Sequence, residues 1–263
     1  MGLLLVGHGT RCLDGQKQFL QLAEWMRLLW GAAPLEAAFL ELAAPTIETA
    51  IQKLLLQNVQ SIVVAPLLLF AAGHAKADIP AAVAQSLAPR RDVRILQAEH
   101  LGCHPLLLEL AASRLRQAVG DRAQSHEKTC LLVVGRGSHD SAATAEFWRF
   151  TQLLAQRTGY SRFQGAFLAM AQPAVQAVIE DLGTSAYQRI VVYPHLLFDG
   201  ELSETIRDLV RPMADRRNDQ NWILAPLLAD PVDYAGEGRR LLPQILVEKA
   251  LEAAAGYSPR FNV

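Results

Sequence analysis

Short apolar runs alternate along this chain with longer segments whose apolar residues recur at helical spacing. In the first half, the apolar runs predict strands at 2–8, 35–41, 60–69 and 93–98. The longer segments predict helices at 12–30, 46–57, 78–88 and 105–119. Strands separated by helices imply right-handed crossovers, and such crossovers build a parallel sheet that is covered on both faces.

The second half of the chain repeats the first. Three segments, LLLVGHGTRC at 3–12, FLELAAP at 39–45 and IVVAPLLLF at 62–70, recur 128 residues later as LLVVGRGSHD, FLAMAQP and IVVYPHLLF. Because chance does not place three matches in one register, we expect an α/β protein with two tandem domains at 1–121 and 128–263. Each domain is predicted to be a four-stranded parallel sheet flanked by helices on both faces. The second copy is expected to place its strands near 129–135, 164–169, 189–197 and 222–227, and a long helix near 232–255.

Polar residues follow three of the apolar runs in the first copy. His8 and Glu41 stand at the ends of the first two predicted strands, and His74 follows the third. The carboxyl ends of parallel strands meet at one edge of a sheet, where open α/β proteins bind their ligands. Two imidazoles and a carboxylate at this edge are typical of a divalent transition-metal site with proton-accepting groups beside it.

The second copy does not keep this set of residues, since Arg136, Ala169 and Glu201 occupy the three positions. A lone histidine at a strand end is more often a hydrogen-bonded structural residue, and a lone glutamate is often a solvated carboxylate. Three such groups on neighbouring strand ends, all replaced in the sister copy, favour chemistry instead. One complete site is therefore predicted, in the first domain, with the second domain as a degenerate copy.

Other residues near these strand ends are candidates for substrate binding. Gly9 and Gly73 allow a flat ligand to approach the backbone, or serve only as turn residues. Polar and basic side chains here either meet substrate carboxylates or remain solvated; the candidates are Thr10, Arg11, Lys76, Arg136 and His139. His104 follows the fourth strand and either reaches the same edge or caps the next helix.

The composition excludes several classes of partner. The 263 residues carry a net charge of −1 without a basic tract, so neither nucleic acid nor an anionic membrane is an expected partner. No secretory signal is seen, and the longest apolar run, 62–73, contains proline and is too short to cross a bilayer. The three cysteines form no C-x-x-C pair, which argues against a disulfide framework, a structural zinc or a four-cysteine iron–sulfur cluster. A cytoplasmic protein is expected.

The first copy resembles the sirohydrochlorin chelatases, the class II metal-inserting enzymes of sirohaem and cobalamin synthesis. The resemblance lies in the segments VGHGTR, FLE with PTIE, PLLL and GHAKADIP. The second copy, with VGRGS and PHLLF, is similar to the long two-domain form, so the resemblance covers essentially the whole chain. It implies that His8 and His74 handle the metal, that Glu41 assists them, and that the tetrapyrrole binds between the domains.

The resemblance also implies the substrates. Sirohydrochlorin and a divalent metal, Fe²⁺, Co²⁺ or Ni²⁺, would be the reactants, with no permanently bound cofactor, and a fused duplication would act as a monomer. The chain has neither the histidine-rich stretch nor the C-terminal iron–sulfur motif of some cobalt-inserting relatives, so the iron-inserting form is the closer match. We expect the two histidines to hold the ion above the ring and to accept pyrrole protons, with activity falling below roughly pH 6.

Two other classes remain open from the residues alone. A metallochaperone or tetrapyrrole carrier would use the same histidines without turnover. A nucleotide-binding or phosphate-binding α/β protein is the second class, but the segment GHGTRC has Cys12 where a dinucleotide fingerprint needs glycine, and the chain contains no Walker phosphate loop.

Overall fold

The structure, a computed structural model, describes residues 1–70, 77–88, 90, 92–120, 128–215, 220–230 and 237–256. The first half folds as β1 (Gly2–Gly7), α1 (Leu13–Trp30), β2 (Leu35–Phe39), α2 (Ile47–Leu56), β3 (Ser61–Pro66), α3 (Ile79–Ser86), β4 (Arg94–Gln97) and α4 (Pro105–Val119). The second half folds as β5 (Thr129–Gly135), α5 (Ser141–Thr158), β6 (Phe163–Phe167), α6 (Val175–Gly183), β7 (Arg189–Pro194), α7 (Glu201–Asp215), β8 (Asn221–Leu224) and α8 (Glu237–Ala255).

Two four-stranded parallel sheets result, with the strand orders β2-β1-β3-β4 and β6-β5-β7-β8. The predicted α/β class with two similar parallel sheets is confirmed. Every residue of β1 and of β5 is buried, because these strands lie inside their sheets. This burial explains why their sequences read as continuous apolar runs rather than as alternating ones.

The third strand of each repeat is shorter than predicted. The sequence prediction extends these strands to residues 69 and 197, whereas β3 ends at Pro66 and β7 ends at Pro194. Proline has no N–H group to donate to a neighbouring strand. The residue after each proline still hydrogen-bonds to the neighbouring strand: Leu67 N–H donates to the carbonyl of Val6, and His195 N–H donates to that of Val134, both at 2.8 Å.

The chain forms two compact units, one containing residues 1–101 and the residues from 239 onward, the other containing 102–238. The predicted domains, 1–121 and 128–263, follow the sequence repeat and differ from these units in the placement of α4 and α8. Helix α4 packs on α5, β7 and β8 of the second unit. Helix α8 belongs to the first unit, where the Arg239 guanidinium carbon lies 5.5 Å from the ring centroid of Trp25.

The units to which α4 and α8 belong could not be predicted from the periodicity of their apolar residues. An amphipathic pattern indicates that a helix buries one face, but it does not identify the sheet that covers this face.

Within the described ranges, no helix is both long enough and apolar enough to span a membrane.

Candidate active site

The loops after β1 and β2 are joined by backbone hydrogen bonds. Leu40 N–H donates to the carbonyl of Gly7 at 2.8 Å, and Glu41 N–H donates to the carbonyl of His8 at 3.0 Å. These bonds continue the parallel ladder beyond the last strand residues, so His8 and Glu41 lie side by side at the carboxyl edge of the sheet. His8 Nε2 is 3.4 Å from Glu41 Oε1, with 29% of the His8 side chain and 51% of the Glu41 side chain exposed.

The two nitrogens of His8 differ in accessibility. Nδ1 is buried, whereas Nε2 faces the Glu41 carboxylate. Because Nδ1 is buried and Nε2 lies beside the exposed Glu41 carboxylate, Nε2 is the nitrogen better placed to meet a metal ion or a proton. When Nε2 carries a proton and the ring is cationic, the nearby carboxylate stabilises that charge.

Gly9 makes the approach of these loops possible. Its φ is +106°, and a β-carbon at this position would lie 1.8 Å from the carbonyl oxygen of Glu41. The same relation holds in the second repeat between Gly137, with φ of +91°, and Ala169. The space beside Gly9 is therefore filled by the protein's own backbone, and its occurrence in both repeats indicates a requirement of the fold.

Thr10 and Arg11 have different surroundings at the start of α1. The Thr10 hydroxyl accepts a hydrogen bond from Cys12 N–H at 3.1 Å, and the Thr10 carbonyl accepts one from Gln16 Nε2 at 2.7 Å. Thr10 therefore organises the turn into α1. Arg11 is exposed at the same edge of the sheet as His8, where its guanidinium can meet an anionic ligand.

Gly73, His74 and Lys76, three of the predicted site residues, lie outside the described residues. Strand β3, which precedes them, runs parallel to β1 with Pro66 opposite Val6. The described chain therefore leaves β3 at the edge of the sheet where His8 lies. Among the residues that the structure does describe, no group of three or more His, Cys, Asp or Glu side chains is arranged to hold a metal ion.

The second unit keeps the backbone of this edge but not its side chains. Ala169, at the position of Glu41, donates its N–H to the carbonyl of Arg136 at 2.9 Å. Arg136 and His139, both predicted to bind substrate, are exposed at the carboxyl end of β5. The structure thus reproduces the interlocked loops without the imidazole and the carboxylate.

His195 stands at the same edge of the second sheet but is 2% exposed. Its ring centroid is 4.0 Å from that of Phe150, and its Nδ1 is 3.4 Å from the Tyr193 hydroxyl. Burial away from water lowers the pKa of His195 to about 3. The ring is therefore neutral at physiological pH and inaccessible to a metal ion from solvent.

Two polar residues at the end of β4 had not been predicted. Glu99 is exposed and His100 is half-buried, and the next residue, Leu101, donates its N–H to the carbonyl of Leu68 at 2.9 Å. The position after β8 that corresponds to His100 is occupied by the buried Leu227. A comparison of the two repeats beyond their fourth strands would have identified His100 as a polar position of the first copy alone.

His104, for which two positions were open, caps α4. Its Nδ1 accepts a hydrogen bond from Leu106 N–H at 3.3 Å, which satisfies one of the unpaired donors in the first turn of the helix. The capping alternative therefore describes its side chain in this structure.

Comparison with known proteins gives a match to the CbiX family over residues 2–118 and 130–231. A sirohydrochlorin ferrochelatase of Priestia megaterium is 30% identical over 226 residues, which are 86% of this chain and 83% of the relative. A sirohydrochlorin cobaltochelatase of the same organism is 29% identical over 210 residues, which are 80% of this chain and 68% of the relative.

Solved structures share the fold. SirB from Bacillus subtilis with Fe³⁺ superimposes with a TM-score of 0.83 at 24% identity, covering 98% of both chains. The sirohydrochlorin chelatase SirB from Bacillus subtilis subspecies spizizenii, in complex with cobalt, gives a TM-score of 0.79 at 23% identity, covering 99% of this chain and 97% of the other. At these identities the superpositions establish the architecture.

Proposed function

This chain belongs to the CbiX family, and on that premise we propose that it is a lyase that inserts a divalent metal ion into sirohydrochlorin. The observation that carries the proposal is the pairing of His8 with Glu41 at the carboxyl edge of the first sheet, with Nε2 and Oε1 3.4 Å apart. The second repeat has Arg136 and Ala169 at these positions. The reaction therefore belongs to the first unit.

Metal insertion makes two demands on a protein. The hydrated ion must exchange water for ligands that later release it, and two pyrrole N–H protons must leave the macrocycle. A neutral imidazole meets the first demand because it binds Fe²⁺, Co²⁺ and Ni²⁺ without the strong hold of a thiolate. It meets the second because its nitrogen accepts a proton near neutral pH.

The geometry at His8 joins these two events at one atom. Nε2 is the nitrogen that lies beside Glu41 while Nδ1 is buried, so Nε2 would hold either the metal or a proton, but not both. As the ion passes to the macrocycle, Nε2 becomes free to accept a pyrrole proton. The Glu41 carboxylate, 3.4 Å away, then stabilises the imidazolium and offers the proton a route to solvent.

The remaining site residues are part of the proposal on sequence grounds. His74 would supply a second imidazole, which would accept the other pyrrole proton, and Gly73 would give the macrocycle room. Positive and polar side chains would bind the acidic substituents of sirohydrochlorin; these are Thr10, Arg11, Lys76, Arg136 and His139. The backbone interlock at Gly9 supports a further role for that residue, which is to hold Glu41 beside His8.

We propose Fe²⁺ as the metal, so that the product is sirohaem. The match to the ferrochelatase of Priestia megaterium spans 83% of that protein, compared with 68% for the cobaltochelatase. Cobalt insertion is the second candidate, supported by that same cobaltochelatase, which aligns over 80% of this chain. Nitrogen ligands bind Fe²⁺ less tightly than Co²⁺, Ni²⁺ or Cu²⁺, but this affinity order does not decide which metal is inserted in the cell, because metal supply and the substrate also decide it.

A monomer in the cytoplasm completes the proposal. All three cysteines, Cys12, Cys103 and Cys130, are free thiols in the structure, which suits a reducing compartment. The metal is a reactant rather than a resident cofactor, and the proposed reaction involves no nucleotide or redox group.

The test is anaerobic insertion of Fe²⁺, Co²⁺ and Ni²⁺ into sirohydrochlorin, followed by absorbance, for the wild type and His8→Ala. We expect metal-dependent turnover that is lost in the variant. Glu48→Gln, a change to an exposed glutamate on α2, serves as a control that should retain full turnover. Wild-type rates no higher than spontaneous insertion, together with stoichiometric metal binding, would reject the enzyme and favour a carrier.

A further inference from the structure

The chain reverses immediately after Glu41 in a γ-turn. Ala43 N–H donates to the carbonyl of Glu41 at 2.9 Å, a bond between residues two positions apart. The central residue, Leu42, has a φ of +66°. A γ-turn with positive φ at its centre is the rarer and more strained of the two γ-turn forms, and a side chain other than glycine adds to this strain.

The second repeat contains the same turn. Ala171 N–H donates to the carbonyl of Ala169 at 2.7 Å, around Met170 with a φ of +59°. Both central residues are large and apolar, and both are exposed, Leu42 by 48% and Met170 by 40%. The turn itself therefore belongs to the fold, but neither side chain is kept there by burial in a core.

Three contacts hold Leu42 in this conformation. Glu41 N–H is bound to the carbonyl of His8, the Glu41 carbonyl is bound by Ala43 N–H, and the same carbonyl oxygen fills the space beside Gly9. Glu41, the residue preceding Leu42, is thus held at both its N–H group and its carbonyl group. Because the Glu41 side chain pairs with His8, the turn places an exposed leucine directly after a residue of the proposed site.

Glycine adopts positive φ without strain, so a large apolar residue at this position gives up stability. Such strain persists where the surrounding structure holds it in place, and it is concentrated at active sites and ligand-binding positions. An exposed leucine next to an imidazole and a carboxylate cannot compete with them for a metal ion or a proton. It can contact a flat apolar surface through dispersion and burial of its methyl groups.

We propose, as a refinement that rests on the proposed function, that Leu42 contacts the face of the tetrapyrrole and that the strained turn fixes this contact beside His8 and Glu41. Leu42 is then a substrate-positioning residue. It sets the position of the macrocycle relative to the metal-handling nitrogen while taking no part in metal binding or proton transfer.

The test measures sirohydrochlorin binding by absorbance titration without metal, and insertion kinetics separately. In Leu42→Gly, the Kd and the KM for sirohydrochlorin should rise about tenfold, with kcat changed less than about twofold. Binding of Co²⁺ alone should be unchanged. The urea midpoint of unfolding should be equal to or above that of the wild type, because glycine relieves the positive φ.

Two further variants separate the side chain from the backbone. Leu42→Asn introduces a residue that tolerates the left-handed conformation but lacks the apolar surface of leucine. It should therefore weaken sirohydrochlorin binding as Leu42→Gly does. Leu42→Met introduces the residue of the second repeat and should keep the wild-type Kd within about twofold. Leu56→Ala removes another exposed leucine, 83% exposed at the far end of α2, and should leave both binding and turnover unchanged.

A Kd for Leu42→Gly within about twofold of the wild type would overturn the inference, as would an equal loss of binding in Leu56→Ala. Absence of wild-type turnover would instead reject the proposed function. Because the titration needs no turnover, it decides the role of Leu42 in either case.

Discussion

Gly9 and Glu41 are in such close contact that a β-carbon on residue 9 would lie 1.8 Å from the Glu41 carbonyl oxygen. The two residues belong to loops that follow neighbouring strands. Their contact fixes the distance between the loops, and with it the position of the Glu41 carboxylate relative to His8. The site therefore requires that residue 9 has no side chain, in addition to the side chains of His8 and Glu41.

The first prediction concerns this contact. Gly9→Ala should reduce the free energy of unfolding by about 2–4 kcal/mol, because the loops must separate and a non-glycine residue must adopt positive φ. Metal insertion should fall with it, since Glu41 moves away from His8. Urea unfolding and insertion kinetics measure the two effects.

Two glycine variants act as controls for Gly9→Ala. Gly31 has a φ of +81° but no heavy atom within 4 Å of its added β-carbon, so Gly31→Ala should carry only the cost of its backbone conformation, about 1–2 kcal/mol, and retain activity. Gly137→Ala should lose about as much stability as Gly9→Ala, because the contact with Ala169 is equally close. Equal losses in Gly9→Ala and Gly31→Ala would contradict the interlock.

The second prediction concerns the role of Glu41. In Glu41→Gln the neutral amide no longer stabilises a protonated His8, so kcat for insertion should fall about 100-fold. Stoichiometric binding of Co²⁺ should be retained, because the imidazole is unchanged. A loss of Co²⁺ binding with an unchanged kcat would assign Glu41 to metal binding instead of proton transfer.

The third prediction is a pH dependence of stability that arises from His195. Its pKa is about 3 in the folded protein, compared with about 6.5 in an unfolded chain. Between these values the unfolded state binds more protons, so the free energy of unfolding decreases as the pH falls below about 6.5. The contribution of this residue is at most about 1.4 kcal/mol per pH unit.

His195→Leu introduces the residue found at the corresponding position of the first repeat, Leu67. Between about pH 7.5 and about pH 5, the variant should lose about 2 kcal/mol less stability than the wild type. The exposed His139 serves as the control, since His139→Gln should leave this difference unchanged. Parallel losses in the wild type and His195→Leu would show that burial does not keep His195 neutral.

The fourth prediction tests the packing of α4 in the second unit. Arg114 is completely buried, and its Nη2 donates to the carbonyl of Leu228 at 2.8 Å. Arg114→Ala leaves a cavity and removes the partner of a buried carbonyl, so we expect a loss of about 3–5 kcal/mol in urea unfolding. Arg116→Ala, on the exposed face of the same helix, breaks only a surface ion pair with Glu109 and should lose less than about 1 kcal/mol.

The sequence by itself determined the local features of this protein. Apolar runs and helical periodicity identified the strands and helices, because each pattern depends on residues close together in the chain. The repeat then showed that His8 and Glu41 end neighbouring strands without an equivalent pair in the second copy. Their proximity could be inferred because all strand ends of a parallel sheet meet at one edge.

The tertiary structure alone decided features that depend on residues far apart in sequence. Helix α4 follows the first repeat but buries Arg114 against the second, since a helical pattern does not specify its partner. The strained turn at Leu42 is likewise held by the loop after β1, and His195 is buried by the rings of Phe150 and Tyr193. Local sequence patterns determine which surfaces must be buried, whereas the packing of the whole chain determines what buries them.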